Sequence, residues 1–298
     1  MKPFLKWAGG KTQLISEIEK CLPLEIRKEK FTYIEPFVGS GAILFWMLTN
    51  FPNIERAVIN DINSDLINTY KIIASKPKEL ISILKDLQNQ YHNLQSNEEV
   101  KKKYYYEKRE LYNSRNTDKV TQASLFIFLN RTCFNGLYRV NKSDFFNVPM
   151  GSYKQPRICD EQNILAVSNA LQNVEILNDD FEKTLSYANE RTFFYLDPPY
   201  KPLSETSYFN SYTKGDFNDL EQIRLKDFCE NLDAQKSKWI LSNSDNQDNK
   251  FFDKIYSKFF IKRVKAKRII NSNGNKRGEL NELLITNYKS EQVNSFSA

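Results

Sequence analysis

The apolar run Phe193-Phe194-Tyr195-Leu196 passes directly into Asp197-Pro198-Pro199-Tyr200, and this junction constrains the fold more than any other feature of the chain. Four consecutive large apolar side chains describe a strand buried on both faces, as in parallel sheets. Two prolines can neither continue a sheet ladder nor enter a helix interior, so they fix a stiff turn at the strand's carboxyl end. In open α/β sheets ligands bind at that edge. The turn carries a carboxylate, a backbone carbonyl and an aromatic ring, a set suited to a planar amino group. Asp197 and the Pro198 carbonyl can each accept an N–H, while Tyr200 stacks on the ring that bears it. Asp-Pro-Pro alone serves equally well as an ordinary proline turn, and the tyrosine and the rest of the chain decide between the two.

A second unit points the same way. Tyr33-Ile34-Glu35-Pro36-Phe37 reads as a short strand, Val38-Gly39-Ser40-Gly41 as a turn, and residues 42–48 as an amphipathic helix. Glycine turns of this kind let backbone approach a ligand closely, and an acid about 20 residues on commonly bonds ribose hydroxyls. The second strand, Ala57-Val58-Ile59-Asn60-Asp61, supplies that acid 20 residues after Gly41. A nucleoside cofactor is the expectation.

The motifs Phe4-Leu5-Lys6-Trp7-Ala8-Gly9-Gly10-Lys11, Glu35-Pro36-Phe37-Val38-Gly39-Ser40-Gly41, Asn60-Asp61-Ile62-Asn63 and Asp197-Pro198-Pro199-Tyr200 resemble those of the Dam/DpnM-type DNA adenine-N6 methyltransferases. Asn130-Arg131-Thr132-Cys133-Phe134-Asn135-Gly136-Leu137-Tyr138-Arg139-Val140-Asn141, Phe146-Asn147-Val148-Pro149 and Ser272-Asn273-Gly274 extend the likeness in the family's order, over about residues 3–288. The resemblance implies an α/β fold: a Rossmann-like S-adenosylmethionine-dependent methyltransferase sheet with an inserted helical and β-hairpin target-recognition domain. It implies S-adenosylmethionine as methyl donor, no metal, and double-stranded DNA containing GATC as substrate. Trp7 and Lys11 resemble the family's contacts to the cofactor's amino acid and sulfonium region. Phe37 and Gly39 would line its path, Asp61 would accept from the ribose, and Asp180-Phe181 would bracket its adenine. Asp197, Pro198 and Tyr200 would hold the target base, with Asp197 also facing the cofactor. Lys6, Phe134, Asn135, Leu137 and Arg139 would meet DNA, the arginine suiting guanine and the leucine the thymine methyl. Cys133-Phe134 lie in a stretch that varies among relatives, and Tyr138 replaces a smaller residue in some.

The resemblance also implies a route of reaction. An adenine amino group inside a duplex is shielded, so the base must be flipped, at a cost of a few kcal/mol offset by stacking and hydrogen bonding. Its lone pair is delocalised, so positioning against the sulfonium methyl supplies much of the rate, and a carboxylate accepting the N–H stabilises the charge that develops on nitrogen.

Organisation follows from periodicity. Strand and glycine signals run to Asp61 and resume near Val174, whereas residues 64–130 have helical spacing, as in Leu66, Ile67, Tyr70, Ile73 and Leu80, Ile83, Leu84, Leu87. Residues 137–153 alternate about the turn Asn141-Lys142-Ser143-Asp144, the mark of a hairpin. Residues 1–63 and 158–290 are therefore expected to form the catalytic, cofactor-binding domain, and 64–157 the inserted recognition domain. A helix over 219–232 and strands over 239–243 and 282–287 complete the expected elements.

With 298 residues, 40% of them hydrophobic and 13% aromatic, the chain can build a sizeable core, and its apolar runs, 125–129 among them, are too short for a bilayer. No secretory signal precedes Pro3, and the four cysteines have no Cys-x-x-Cys spacing, so a cytoplasmic protein without disulfides or zinc is expected. The net charge of +6 (43 minus 37) is unremarkable, but residues 262–278 hold seven basic side chains and no acidic one, including Lys267 and Arg268. A basic loop there would attract phosphate backbone, and equally suits a solvated face. His92, the one histidine, is expected to be solvated. Gly10-Lys11-Thr12 imitates a phosphate-binding loop but has leucine where the leading glycine belongs, and Asp61-Asn63-Asp65 lacks the glycine and glutamate of a calcium loop. The alternatives are an amino-methyltransferase acting on cytosine N4 or RNA, and a non-catalytic DNA-binding relative, which the intact Asp197–Tyr200 motif disfavours. A cognate restriction endonuclease is compatible as a partner in the same system, with no direct contact implied.

Overall fold

The computed structural model describes residues 1–7, 11–94, 97–200, 217–245, 250–267 and 279–290. Gly9, Gly10, Arg268 and Ser272-Asn273-Gly274 lie outside the described residues, as do the side chain of Lys267 and most of the polar loop after Tyr200.

Helices α1 (Ile15–Cys21) and α2 (Glu25–Lys28) lead into β1 (Phe31–Glu35), followed by α3 (Ala42–Asn50) and β2 (Ile54–Asn60). Four helices come next: α4 (Ser64–Ser75), α5 (Pro77–Asn93), α6 (Glu98–Asn113) and α7 (Lys119–Thr132). An irregular stretch and α8 (Glu161–Ala170) precede β3 (Val174–Leu177), β4 (Thr192–Leu196), α9 (Asp219–Ala234), β5 (Lys238–Ser244), α10 (Phe251–Ile255), β6 (Phe260–Lys267) and β7 (Glu279–Thr286).

The strands form one sheet in the order β3-β2-β1-β4-β5-β7-β6. The first five are parallel, while β7 runs antiparallel to both β5 and β6. The chain winds outward from β1 to β3, then restarts at β4 on the other side of β1, so the winding reverses between β1 and β4. Their carboxyl ends, Glu35 and Leu196, are where a doubly wound sheet opens a crevice.

Alternation along β4 divides the core. Phe193 and Tyr195 pack with Tyr33, Ile59, Ile240 and the helices before β3, whereas Phe194 and Leu196 pack with Ile34, Trp239, Leu241 and the inward face of α9 (Leu225, Phe228, Leu232). All five β4 residues are buried, as the apolar run requires. Helix starts are set by short polar side chains: Asn63 accepts from the Leu66 amide at 3.0 Å to begin α4, and Asn218 accepts from the Leu220 amide at 2.9 Å to begin α9.

Four expectations are modified. Strand β1 stops at Glu35, two residues early, because Pro36 has no N–H to give the ladder. The hairpin over 137–153 has its turn at Asn141, whose side-chain oxygen accepts from the Ser143 and Phe145 amides at 3.0 Å each. Its ladder is reduced to isolated bridges, Val140 with Phe146 and Cys133 with Met150. Side chains of α6 take the backbone groups that a ladder would have paired. Asn113 bonds both the N–H and the C=O of Phe146 at 2.8 and 3.1 Å, and the Tyr105 hydroxyl donates to the Val148 carbonyl at 2.8 Å. The basic stretch from 262 begins as the edge strand β6 rather than as a loop. Lys262 pairs with Glu17 at 3.0 Å, and Arg263 with Asp245 at 3.0 Å and Asp253 at 2.8 Å. Part of its charge is therefore neutralised within the fold. His92 is half-buried, with Nε2 3.0 Å from the Pro156 carbonyl, instead of solvated. All four cysteines are buried and free.

Candidate active site

At the carboxyl end of β4, Asp197 faces two partners. Its Oδ1 accepts from the Ser242 hydroxyl at 2.9 Å and lies 3.2 Å from the Lys11 ammonium. Tyr195 donates to Ser242 at 3.2 Å, so a short relay from β4 through β5 fixes the carboxylate. The Pro199 carbonyl accepts from Gln222 of α9 at 3.3 Å and holds the proline turn. Lys11, at the start of a short 3-10 turn, is almost wholly buried. Its ammonium is 3.5 Å from the Glu282 carboxylate of β7 and 3.9 Å from the centre of the Tyr200 ring, and it donates to the Tyr200 hydroxyl, which in turn donates to Glu282.

Burial raises the Asp197 and Glu282 carboxyls above their ordinary values, and the Lys11 ammonium opposes that rise in both. Glu35, fully buried at the end of β1, receives the Tyr33 hydroxyl at 2.7 Å. Burial, reinforced by the nearby charges of Asp197 and Asp61, pushes its carboxyl well up.

The glycine turn after β1 forms the other wall. Asp61 accepts from the Gly39 amide at 3.1 Å and from the Asn63 amide at 2.9 Å. Desolvation lifts its carboxyl to about 6, although these backbone donors pull it down. Asn60 bonds the Pro36 carbonyl at 3.1 Å and both the amide and carbonyl of Asp179 at 2.9 Å, tying together the loops beyond β1, β2 and β3. Gly39 has φ +47°, and a Cβ there would come within 3.2 Å of the Trp7 indole nitrogen. The rings of Phe37 and Phe181 lie 5.3 Å apart and both pack near Phe217. Asp180 caps the turn after β3 through the Glu182 amide at 2.9 Å and pairs with Arg224 at 2.5 Å, the guanidinium resting over Phe181.

The residues assigned to DNA form a separate group. Asn130 clamps Lys6, accepting from its amide at 2.8 Å and donating to its carbonyl at 2.7 Å, and it also donates to the Gly136 carbonyl at 2.9 Å. Lys6 crosses Gly136 so closely that a Cβ there would fall 2.4 Å from the lysine Cδ. Its ammonium sits 4.1 Å from the Tyr153 ring centre. Phe134 is 49% exposed, Asn135 is exposed in the left-handed region, and Leu137 is half-buried. Arg139 donates Nε to the Asn147 side chain at 2.7 Å, which orients its guanidinium. Lys267 is the last residue of β6.

Sheet order, switch-point turn and acidic strand end together define a methyltransferase fold of the S-adenosylmethionine-dependent kind. More particularly, the chain belongs to the D12 class N6 adenine-specific DNA methyltransferases, whose family model it matches over residues 7–270. It is 50% identical over 292 residues to the type II methyltransferase M.MjaIII of Methanocaldococcus jannaschii, an alignment covering 97% of this chain and 99% of that one. The type II methyltransferase M1.LlaDCHI of Lactococcus lactis subsp. cremoris is 38% identical over 294 residues, covering 97% and 96%. The DNA adenine methylase of Escherichia coli is 33% identical over 283 residues, covering 95% and 94%. The chain is thus an enzyme that methylates adenine N6 in DNA. Among the described residues no group of three or more His, Cys, Asp or Glu side chains is arranged to hold a metal, and no described helix is long and apolar enough to cross a membrane.

Sequence reasoning missed Ser242, Glu282 and Glu35 as members of this site. Glu282 carried a signal, since it is the one acid beside the apolar run Leu283-Leu284-Ile285 of a sheet strand, where a carboxylate needs a partner. Ser242 carried none, because only the register of β4 against β5 brings it to Asp197.

Proposed function

We propose that the enzyme methylates the adenine of GATC in double-stranded DNA after flipping that base into the pocket at the end of β4. The observation that carries this reading is the Asp197 carboxylate held beside the Tyr200 ring at the sheet's switch point, next to the glycine turn that meets Asp61. The residues present fit S-adenosylmethionine. Asp61, anchored by two backbone amides, offers remaining acceptor capacity to ribose hydroxyls. Phe37, Phe181 and Asp180 offer an aromatic wall with an acceptor for its adenine, and the space above Gly39 is bounded by Trp7. When bound, the cofactor supplies a sulfonium methyl group, which the amine takes as the carbon–sulfur bond breaks with its electron pair returning to sulfur.

The chain's own residues position the amine. Tyr200 stacks on the flipped base, and Asp197 with the Pro198 carbonyl accepts its N–H bonds, which localises the nitrogen lone pair toward the methyl. Ser242 keeps the Asp197 carboxylate in place, so its negative charge meets the positive charge growing on nitrogen without reorganisation. Residues 64–157 act as the target-recognition segment: Arg139 reads guanine, Leu137 the thymine methyl, and Phe134 and Asn135 approach the helix beside the extruded base, joined by Lys6 from the amino-terminal segment. Lys267 and Arg268 add backbone attraction. Helix α4 belongs to both parts, since it packs on α7 and α8 alike.

The test is methyl transfer from labelled S-adenosylmethionine to two duplexes that differ only in whether both GATC adenines already carry the N6 methyl. Label in the unmodified duplex alone supports base and site together. Label in both rejects the GATC adenine as sole target, and label in neither points to another nucleic acid substrate.

A further inference from the structure

The Lys11 ammonium touches the same two groups to which the target adenine's amino-bearing ring is assigned. It lies 3.2 Å from Asp197 Oδ1, where the amine would donate, and donates to the hydroxyl of Tyr200, whose ring centre is 3.9 Å away and on which the base would stack. A cation of that size and an exocyclic amine cannot both occupy the space beside Oδ1. Among the described residues one carboxylate remains within reach of the ammonium outside the Asp-Pro-Pro-Tyr turn, Glu282 of β7, at 3.5 Å. Glu282 is only 15% exposed and also accepts from the Tyr200 hydroxyl. A buried ammonium that loses a carboxylate without gaining another is costly, whereas moving between two acceptors that flank it costs little. Lysine suits such an exchange because its ammonium is a point charge on a flexible stem.

We infer that Lys11 holds the place of the target amine on Asp197 and Tyr200, and that Glu282 is the positioning residue that draws the ammonium aside when the base enters. The inference rests on the assignment of Asp197 and Tyr200 to the target base. Between base entries the ammonium partners the Asp197 carboxylate and occupies the stacking position. On entry it shifts fully onto Glu282, and Asp197 exchanges one N–H donor for another, so its half-buried carboxylate is never left without a partner.

The test is a double-mutant cycle read by base flipping rather than by turnover, using the full-length chain with S-adenosylmethionine and a GATC duplex carrying 2-aminopurine at the target position. Glu282→Gln leaves the ammonium on Asp197, so the equilibrium constant for the fluorescent flipped state falls about tenfold, the worth of one charge-assisted hydrogen bond. S-adenosylmethionine affinity is unchanged. Lys11→Met removes the competitor, and in that background Glu282→Gln has no further effect on flipping. Lys11→Gln replaces Lys11→Met in the cycle if the latter does not fold. An equal loss from Glu282→Gln with and without the lysine, or no loss in either, overturns the inference. Tyr200→Leu is measured alongside: undiminished flipped-state signal and methyl transfer in that variant means that the assignment of the base pocket itself is wrong. Loss in Tyr200→Leu together with an additive cycle overturns only the role of Lys11 and Glu282.

Discussion

Trp7 and Tyr138 stack with ring centres 5.6 Å apart and planes inclined by 19°. The indole also meets Gly39, and the tyrosine precedes Arg139, so one aromatic contact joins the glycine turn to the segment assigned to DNA. Tyr138→Ala is expected to cost about 3 kcal/mol of stability in urea unfolding, as for other buried aromatic truncations. Tyr138→Phe keeps the stack and costs under about 1 kcal/mol. Matching losses in the two variants would show that the hydroxyl, not the ring, carries the effect.

Asp65 gathers three partners from two segments: Arg115 at 2.6 Å and the Tyr112 hydroxyl at 2.6 Å from the end of α6, and the Tyr138 hydroxyl at 3.5 Å. Arg115→Met leaves this buried carboxylate without its cation. Because the arginine is one-third exposed, the expected cost is about 2 kcal/mol, less than for a fully buried pair. Asp65→Asn in the Arg115→Met background should recover part of it in thermal unfolding, and no recovery would argue against an electrostatic origin.

Asp61 sets a pH dependence. Its carboxyl is raised to about 6 in the folded chain, against about 4 when unfolded, so the folded state binds the proton more tightly. The stability that goes with the protonated form is fully present below pH 4 and is lost as pH rises through 6. Asp61→Asn should therefore stabilise the fold by on the order of 2 kcal/mol at pH 7 and by little at pH 4. The same change should weaken S-adenosylmethionine binding, and the wild-type affinity should itself decline below pH 6. Titration calorimetry against pH checks this, and a flat profile would rule out Asp61 as an ionised ligand.

Asp197→Asn should lower the single-turnover methylation rate by at least about a hundredfold, the scale of losing one preorganised charge partner. Cofactor affinity should stay within a few fold. Wild-type transfer by the variant would remove Asp197 from the chemistry.

Arg139→Ala should relax discrimination at one guanine of GATC by about 1–3 kcal/mol, while Lys267→Ala lowers affinity for all sequences alike. Asn147→Ala should reproduce part of the Arg139 effect, since Asn147 holds the guanidinium Nε. Competition with duplexes altered at single positions distinguishes the two, and equal loss on cognate and altered duplexes for Arg139→Ala would contradict its assignment to a base.

The parallel core of the fold was legible because its signals are local. The run Phe193 to Leu196 needs burial on both faces, the prolines end it at once, and Gly39 and Gly41, both at positive φ, mark the turn after β1. Helical spacing likewise announced α4 and α5, and the basic stretch announced charge. It did not announce β6, because an edge strand of alternating basic residues reads as a solvated loop until β7 supplies its ladder. The hairpin was legible at its Asn141 turn and not in its ladder, since the competing hydrogen bonds come from Asn113 and Tyr105 on α6.

By itself the sequence determined which groups stand at the ends of the strands: a carboxylate and a ring after β4, an acid after β2, and a flexible turn after β1. Those follow from steric and burial rules that act over a few residues. Only the tertiary structure decided what those groups face. Lys11, Asp197, Tyr200, Ser242 and Glu282 are separated by up to 271 residues, and they meet because β4 pairs with β5, β5 with β7, and the amino-terminal turn sets Lys11 against Asp197 and Glu282. Register and chain crossing are set by the sum of many buried contacts, and no local stretch encodes the neighbour that such a sum will bring.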